Sequence, residues 1–257
     1  MPEARDPFER WLYGGAFAAL IGGAWVTLGF LGASRFAPYL SHGPVGNAGL
    51  SPTPARVLIF VAGWTLMSIA MMLPSSLPLV TVFHTITRSP SLVAVLVAGY
   101  LGIWALFGVA GFVADTGLHE ALEGLPSLKA RADLIPPGLL LAAGLFQFSP
   151  LKYSCLQQCR SPVGFVIQRW RGGGRPLQAF ALGVRHGVFC VGCCWALMVL
   201  MFAVGGANLG WMLLLGTVMF LEKVAAWGRW VTAPAGALLA LWGLALLLKL
   251  PGIPPPF

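Results

Sequence analysis

Residues 181–203 read ALGVRHGVFCVGCCWALMVLMFA. A helix of that length reaches about 34 Å, enough to cross a hydrocarbon core of about 30 Å. Its only strongly polar residues, Arg185 and His186, lie near its start. The same segment holds Cys190, Cys193 and Cys194, three of the chain's five cysteines. A span this apolar sets the fold, and its soft, reactive side chains pose the functional question.

The rest of the chain repeats the pattern. Of its 257 residues 58% are hydrophobic and 9% charged, and mean hydropathy is +0.81. A soluble domain carries about 25% charged residues. Further apolar segments run over Trp11–Ala33, Arg56–Val80, Ser91–Ala114, Leu134–Ser149, Leu209–Leu221 and Thr232–Leu250. The expected fold is therefore all-α: a polytopic transmembrane bundle of about seven spans, forming one domain over 1–257. The spans at Leu134–Ser149 and Leu209–Leu221 are short and read as tilted or partly re-entrant. No repeat points to an inverted-repeat transporter. The net charge of +8 reflects the distribution of basic loops rather than a nucleic-acid site.

The connections differ in character. Residues 34–55 are rich in Gly, Ser, Pro and Asn and read as a loop; residues 115–133 are acidic on balance. Residues 150–185 carry Lys152, Arg160, Arg169, Arg171, Arg175 and Arg185, interrupted by GGG at 172–174. With this basic segment in the cytoplasm, eleven Lys and Arg lie inside and five outside. The positive-inside rule then puts the N-terminus in the cytoplasm and the C-terminus outside.

At about 100° per residue, His186, Cys190 and Cys193 fall within roughly 60° of one another, and Cys194 widens that face. Gly183 and Gly187 form a small-xxx-small pair that admits a neighbouring helix. Thiolates select Cu(I), and Cys/His sets also suit zinc. A metal would compensate a thiolate in hydrocarbon, whereas a single buried cysteine is simply a small hydrophobe. CVGCC has a cysteine where a c-type haem attachment needs histidine, and no βαβ pattern accompanies it as in a thioredoxin-like site.

Three other groups bear on the same chemistry. In WTLMSIAMMLPSSLP, residues 64–78, Trp64, Met67, Met71, Pro74 and Pro78 share a helical face and Met72 stands about 100° off Met71. The prolines free carbonyls that need other partners inside a membrane. The methionines fill core space or add soft sulfur ligands, and their face is expected to pack against the cysteine face of 181–203. Cys155 and Cys159, spaced i, i+4 in SPLKYSCLQQCRSP, would place both sulfurs on one side of a short cytoplasmic helix, where thiols stay reduced. Asp115, His119 and Glu123 recur every four residues and read as a solvated charged face. Glu222 and Lys223 read as interfacial anchors. His42 and His84 stand alone.

Taken together, the WTLMSIAMMLP, SPLKYSCLQQCRSPVGF, GVRHGVFCVGCCWALM and LEKVAAWG segments resemble a bacterial family of integral membrane proteins described as metal-binding, with no assigned reaction. The resemblance runs from the second span to the end. It implies a metal role for Met67, Met71, Met72, Cys155, Cys159, His186, Cys190, Cys193 and Cys194, and a multi-pass location in the bacterial inner membrane. The leading reading is copper(I) handling, by transfer, chaperoning or supply to a metal-receiving partner, with zinc as the alternative metal. A membrane thiol or metal redox protein, and a non-catalytic subunit with inert cysteines, are the competing readings. No catalytic set or organic cofactor motif stands out.

Thiol labelling from each side of the membrane tests the topology. Residues 150–180 are expected to react from the cytoplasm; reaction of Cys155 from the outside alone would invert the arrangement.

Overall fold

A computed structural model describes residues 7–34, 54–172, 175–204 and 208–250. The loop reading of 34–55 therefore falls almost wholly outside the described residues, as do His42 and part of the GGG break. The order is α1 (Pro7–Gly32), α2 (Pro54–Thr87), α3 (Pro90–Gly124), α4 (Pro126–Lys129), a 3-10 turn (Ala132–Leu134), α5 (Ile135–Phe146), α6 (Pro150–Arg160), α7 (Pro162–Arg169), α8 (Pro176–Val204), α9 (Leu209–Val224) and α10 (Arg229–Leu247). No strand occurs among the described residues.

Local sequence explains the starts. Among the described residues, seven helices begin on a proline, whose fixed φ suits the first helical position and whose missing N–H costs nothing there. Ser89 and Ser149 accept hydrogen bonds from the backbone N–H of Leu92 and Lys152, and Asn208 from that of Trp211. Each satisfies one of the orphan donors of a helix N-terminus. Inside α2, Pro74 removes the partner of the Ala70 carbonyl; the Trp25 indole of α1 replaces it at 3.2 Å. The helix runs through both prolines to Thr87.

Five helical segments are long and apolar enough to cross a membrane: Gly14–Gly32, Val57–Thr87, Pro90–Gly124, Pro176–Met201 and Arg229–Leu247. The two short segments anticipated from sequence are helical but remain short, with 12 residues in α5 and 16 in α9. The 3-10 turn with α5, taken together with α6, forms a pair bent by 63° that could count as a sixth crossing. The outward faces are oily: Phe30, Leu58, Leu106 and Leu238 are all well exposed.

The expected loops are partly helical. Residues 115–124 continue α3, and the basic segment contains α6 and α7. This segment packs at one end of the bundle. Trp170 meets Phe83 near the end of α2 edge-on, and Arg160 reaches carbonyls at the end of α9. Near the other end Lys249 pairs with Asp133.

The closest partner of α8 is α3, not the methionine helix α2. A Cβ on Gly183 would strike the Leu96 carbonyl, and one on Gly187 would meet Ile103. Gly99 answers from α3, with the Phe180 carbonyl against it. Small residues let two helix backbones approach where a larger side chain would hold them apart, and here the pair runs parallel. A second glycine contact joins α5 to α10: Gly144 lies against Gly236 and Ala240, and Gly243 against Pro137 and Leu141. The glycine pair in the sequence therefore marks a close crossing as expected, but with α3 rather than α2 as the neighbour.

Gly183→Ala should destabilise the fold by about 1–3 kcal/mol, the usual range for overpacking, because the obstructing atoms are backbone. Gly22→Ala, with nothing within 4 Å of the new Cβ, should be neutral or slightly stabilising through helix propensity. Thermal unfolding in detergent compares the two; equal effects would contradict the close α3–α8 crossing.

Candidate metal centre

All five cysteines are buried and unbridged. Two non-consecutive helices supply them: α6 gives Cys155 and Cys159, and α8 gives Cys190, Cys193 and Cys194. Cys159 Sγ lies 4.0 Å from Cys193 Sγ, and Cys193 Sγ lies 3.3 Å from Cys194 Sγ. Cys193 also points its thiol at the Cys190 carbonyl, 3.2 Å away. Cys155 sits against Gly192, where a Cβ would collide with its sulfur. The expected separate cytoplasmic pair is thus folded back onto α8. The physical reason is the bend after α5, which turns α6 inward and buries its cysteine side.

The centre also contains a cation of its own. Lys223 of α9 donates to Cys190 Sγ at 2.9 Å and to Ser75 Oγ at 3.3 Å, and its Nζ is 3.7 Å from Met72 Sδ. Tyr100 of α3 bridges the same two helices: its hydroxyl is 3.2 Å from Cys190 Sγ and 3.2 Å from the Met72 carbonyl. A buried ammonium needs a counter-charge, and Cys190 sulfur is the nearest group able to carry one.

The methionines divide. Met72, off the face singled out by periodicity, reaches the cluster. Met71 packs on Gly216 of α9, and Met67 is buried in the same apolar core as the cysteines. The methionine helix therefore reaches the cysteine helix through side chains from α3 and α9 rather than by direct close packing. One direct link exists: His186 Nε2 lies 3.2 Å from Ser76 Oγ. The His186 ring stacks on Tyr100 and meets Phe165 edge-on, while its Nδ1 is buried without a hydrogen-bond partner.

Among the described residues no three Cys, His, Asp or Glu side chains form a ready coordination shell. The donor set is nevertheless soft and converging, and an ammonium stands beside its thiols. His119 stays with its own helix, its Nδ1 2.9 Å from the Asp115 carbonyl, and both residues are partly solvent-exposed.

Glu222 and Lys223 are not interfacial anchors; both are buried. Lys152 Nζ donates to Glu222 Oε2 at 2.7 Å, with side chains only 0% and 2% exposed. Arg160 donates to the carbonyls of Glu222, Ala225 and Ala226, satisfying the end of α9. Two adjacent charges closing an apolar helix were the available signal, since ionisable residues within such helices usually face the bundle interior and a partner.

The fold and this centre define a helical bundle with a buried thiol–thioether cluster suited to a soft metal ion. The family described as PpoB2, copper chaperone, matches residues 61–246, from α2 into α10, and the chain belongs to it. This ties the protein to copper handling in general. No curated protein and no solved structure matches the chain.

Glu222→Gln should destabilise the protein by about 3–5 kcal/mol, the cost of stranding one member of a buried ion pair. Replacing both Lys152 and Glu222 by Met should recover much of that loss. Melting temperatures in detergent measure it, and a single variant as stable as wild type would contradict the pairing.

Proposed function

We propose that the chain is a membrane-embedded copper(I) chaperone that holds Cu(I) among the α6 and α8 thiols and hands it to a partner protein. The observation that carries this reading is the convergence of Cys159 with Cys193 and Cys194, from separate helices, beside Cys190 and Met72. Five long apolar helices with oily outward faces support the membrane placement. The copper chaperone family supports the cargo.

The arrangement supports loading by exchange. Uptake of one Cu(I) with release of one proton, from the Lys223 ammonium or from a second thiol that becomes a ligand, leaves the buried charge unchanged. The lysine stem is long and flexible and can withdraw from the sulfurs while its neighbours stay packed. Thiolates and a thioether match Cu(I) in softness. Cys155, the least enclosed of the α8-facing thiols together with Cys159, stands on the side of α6 and suits transfer in or out. His186, with its free Nδ1 near Tyr100, is a reserve ligand.

Metal content measured on protein purified in detergent under reducing conditions tests this. Wild type should hold stoichiometric copper, and Cys190→Ser, Cys193→Ser and Cys194→Ser combined should remove it. Replacing Asp115, His119 and Glu123 together by Ala should leave it in place. A metal-free wild type that cycles through an internal disulfide would favour thiol redox chemistry instead, and loss of copper in the acidic-face variant alone would move the site to the end of α3.

A further inference from the structure

A second feature lies outside the sulfur cluster, at the basic end of the bundle. Arg169, Arg171 and Arg185 line a cleft of about 240 Å³ together with Gln178. An adjoining groove of about 370 Å³ shares Arg169 and Arg185 and continues along α8 over Val188 and Phe189. Among the described residues none of the three arginines is paired with a carboxylate. Arg169 instead donates to Gln158 Oε1 at 3.2 Å and stacks over Phe165 at 4.2 Å. The Gln178 amide oxygen is buried without a hydrogen-bond partner.

The surroundings of the cleft are apolar and exposed. Val163 and Ile167, spaced i, i+4 on α7, both face outward, as do Leu177 and Phe180 at the start of α8 and Val188 further along it. A short helix with an apolar outward face and arginine at its end fits the boundary between headgroups and acyl chains. Three cations at the mouth of an apolar groove at that level match an amphiphile with an anionic head.

We propose that this cleft binds one anionic glycerophospholipid. Its phosphate sits among Arg169, Arg171 and Arg185, and an acyl chain runs along Val188 and Phe189. Guanidinium groups bind phosphate through paired N–H donors, and basic pockets between membrane helices take acidic headgroups. A hydroxyl-bearing headgroup, such as glycerol, donates to the unpartnered Gln178 oxygen. The groove distinguishes a lipid from a free phosphate ion, which has no use for it. An acidic protein partner would account for the arginines but not for the apolar groove that continues from them along α8. This inference rests on the membrane placement proposed above.

Native mass spectrometry of the delipidated full-length protein in detergent tests the site, using added phosphatidylglycerol, phosphatidylcholine or glycerol phosphate. Wild type should retain one phosphatidylglycerol with a preference over phosphatidylcholine of roughly tenfold or more. Arg169→Gln, Arg171→Gln and Arg185→Gln combined should lose that preference while keeping bound copper, which reports an intact bundle. Equal retention of the two lipids, or an unchanged preference in the triple variant, would overturn the proposal. So would displacement of the lipid by glycerol phosphate, which would make this a site for a free anion. Alkaline washing of cell membranes separates this failure from that of the membrane reading. A chain released by alkali contradicts the placement itself; a chain that needs detergent yet shows no lipid preference contradicts only the cleft.

Discussion

The buried ion pair between Lys152 and Glu222 is the constraint on which the centre depends. Neither charge can remain inside an apolar bundle without the other, so α6 must lie against α9. Arg160 reinforces the contact from the same helix by binding the carbonyls at the end of α9. With α6 fixed there, Cys155 and Cys159 face α8 rather than solvent. Because successive residues on a helix point about 100° apart, Lys223 cannot share the direction of Glu222. It points toward α2 and α8, into the thiols. One pair of adjacent residues thus sets both the position of the second cysteine pair and the placement of the central cation.

Around that constraint the bundle is closed by small residues. Gly183 and Gly187 bring α8 onto α3, which carries the Tyr100 hydroxyl to Cys190 and to the Met72 carbonyl. The same proximity places His186 between Tyr100 and Phe165. Trp25 completes the hydrogen bonding that Pro74 interrupts, so α2 can pass the centre with its methionines inward. Packing, backbone satisfaction and charge therefore converge on one layer of the bundle. In the proposed function this layer releases one proton for each Cu(I) it takes up, with no net charge brought into the apolar interior.

Much of this was legible in the sequence. Apolar length and hydropathy located the long helices, because those signals are local and strong, but not the polar helical stretches at 115–124, α6 and α7. The i, i+3 and i+4 spacing of His186, Cys190 and Cys193 identified a common face, although only the cysteines meet other thiols while His186 turns to Ser76. What could not be read was whatever depends on which helix lies beside which. Periodicity put Met67 and Met71 on the notable face of α2, but the close neighbour of α8 is α3, and Met72 is the methionine beside Lys223. Cys155 and Cys159 read as a separate pair on a short cytoplasmic helix because the bend after α5 is a tertiary event. Lys223 and Glu222 looked like anchors because they close an apolar segment; their burial is set by α6, a neighbour that no local signal identifies.

The central claim is that copper sits among sulfurs drawn from both α6 and α8. X-ray absorption at the copper edge of the Cu(I)-loaded protein tests it most directly. Copper held there should show a first shell dominated by sulfur at about 2.3 Å, the length of a metal–thiolate bond at zinc, with one sulfur fewer when Cys159 is replaced by Ser. A shell dominated by nitrogen or oxygen, or one unchanged by Cys159→Ser, would contradict it.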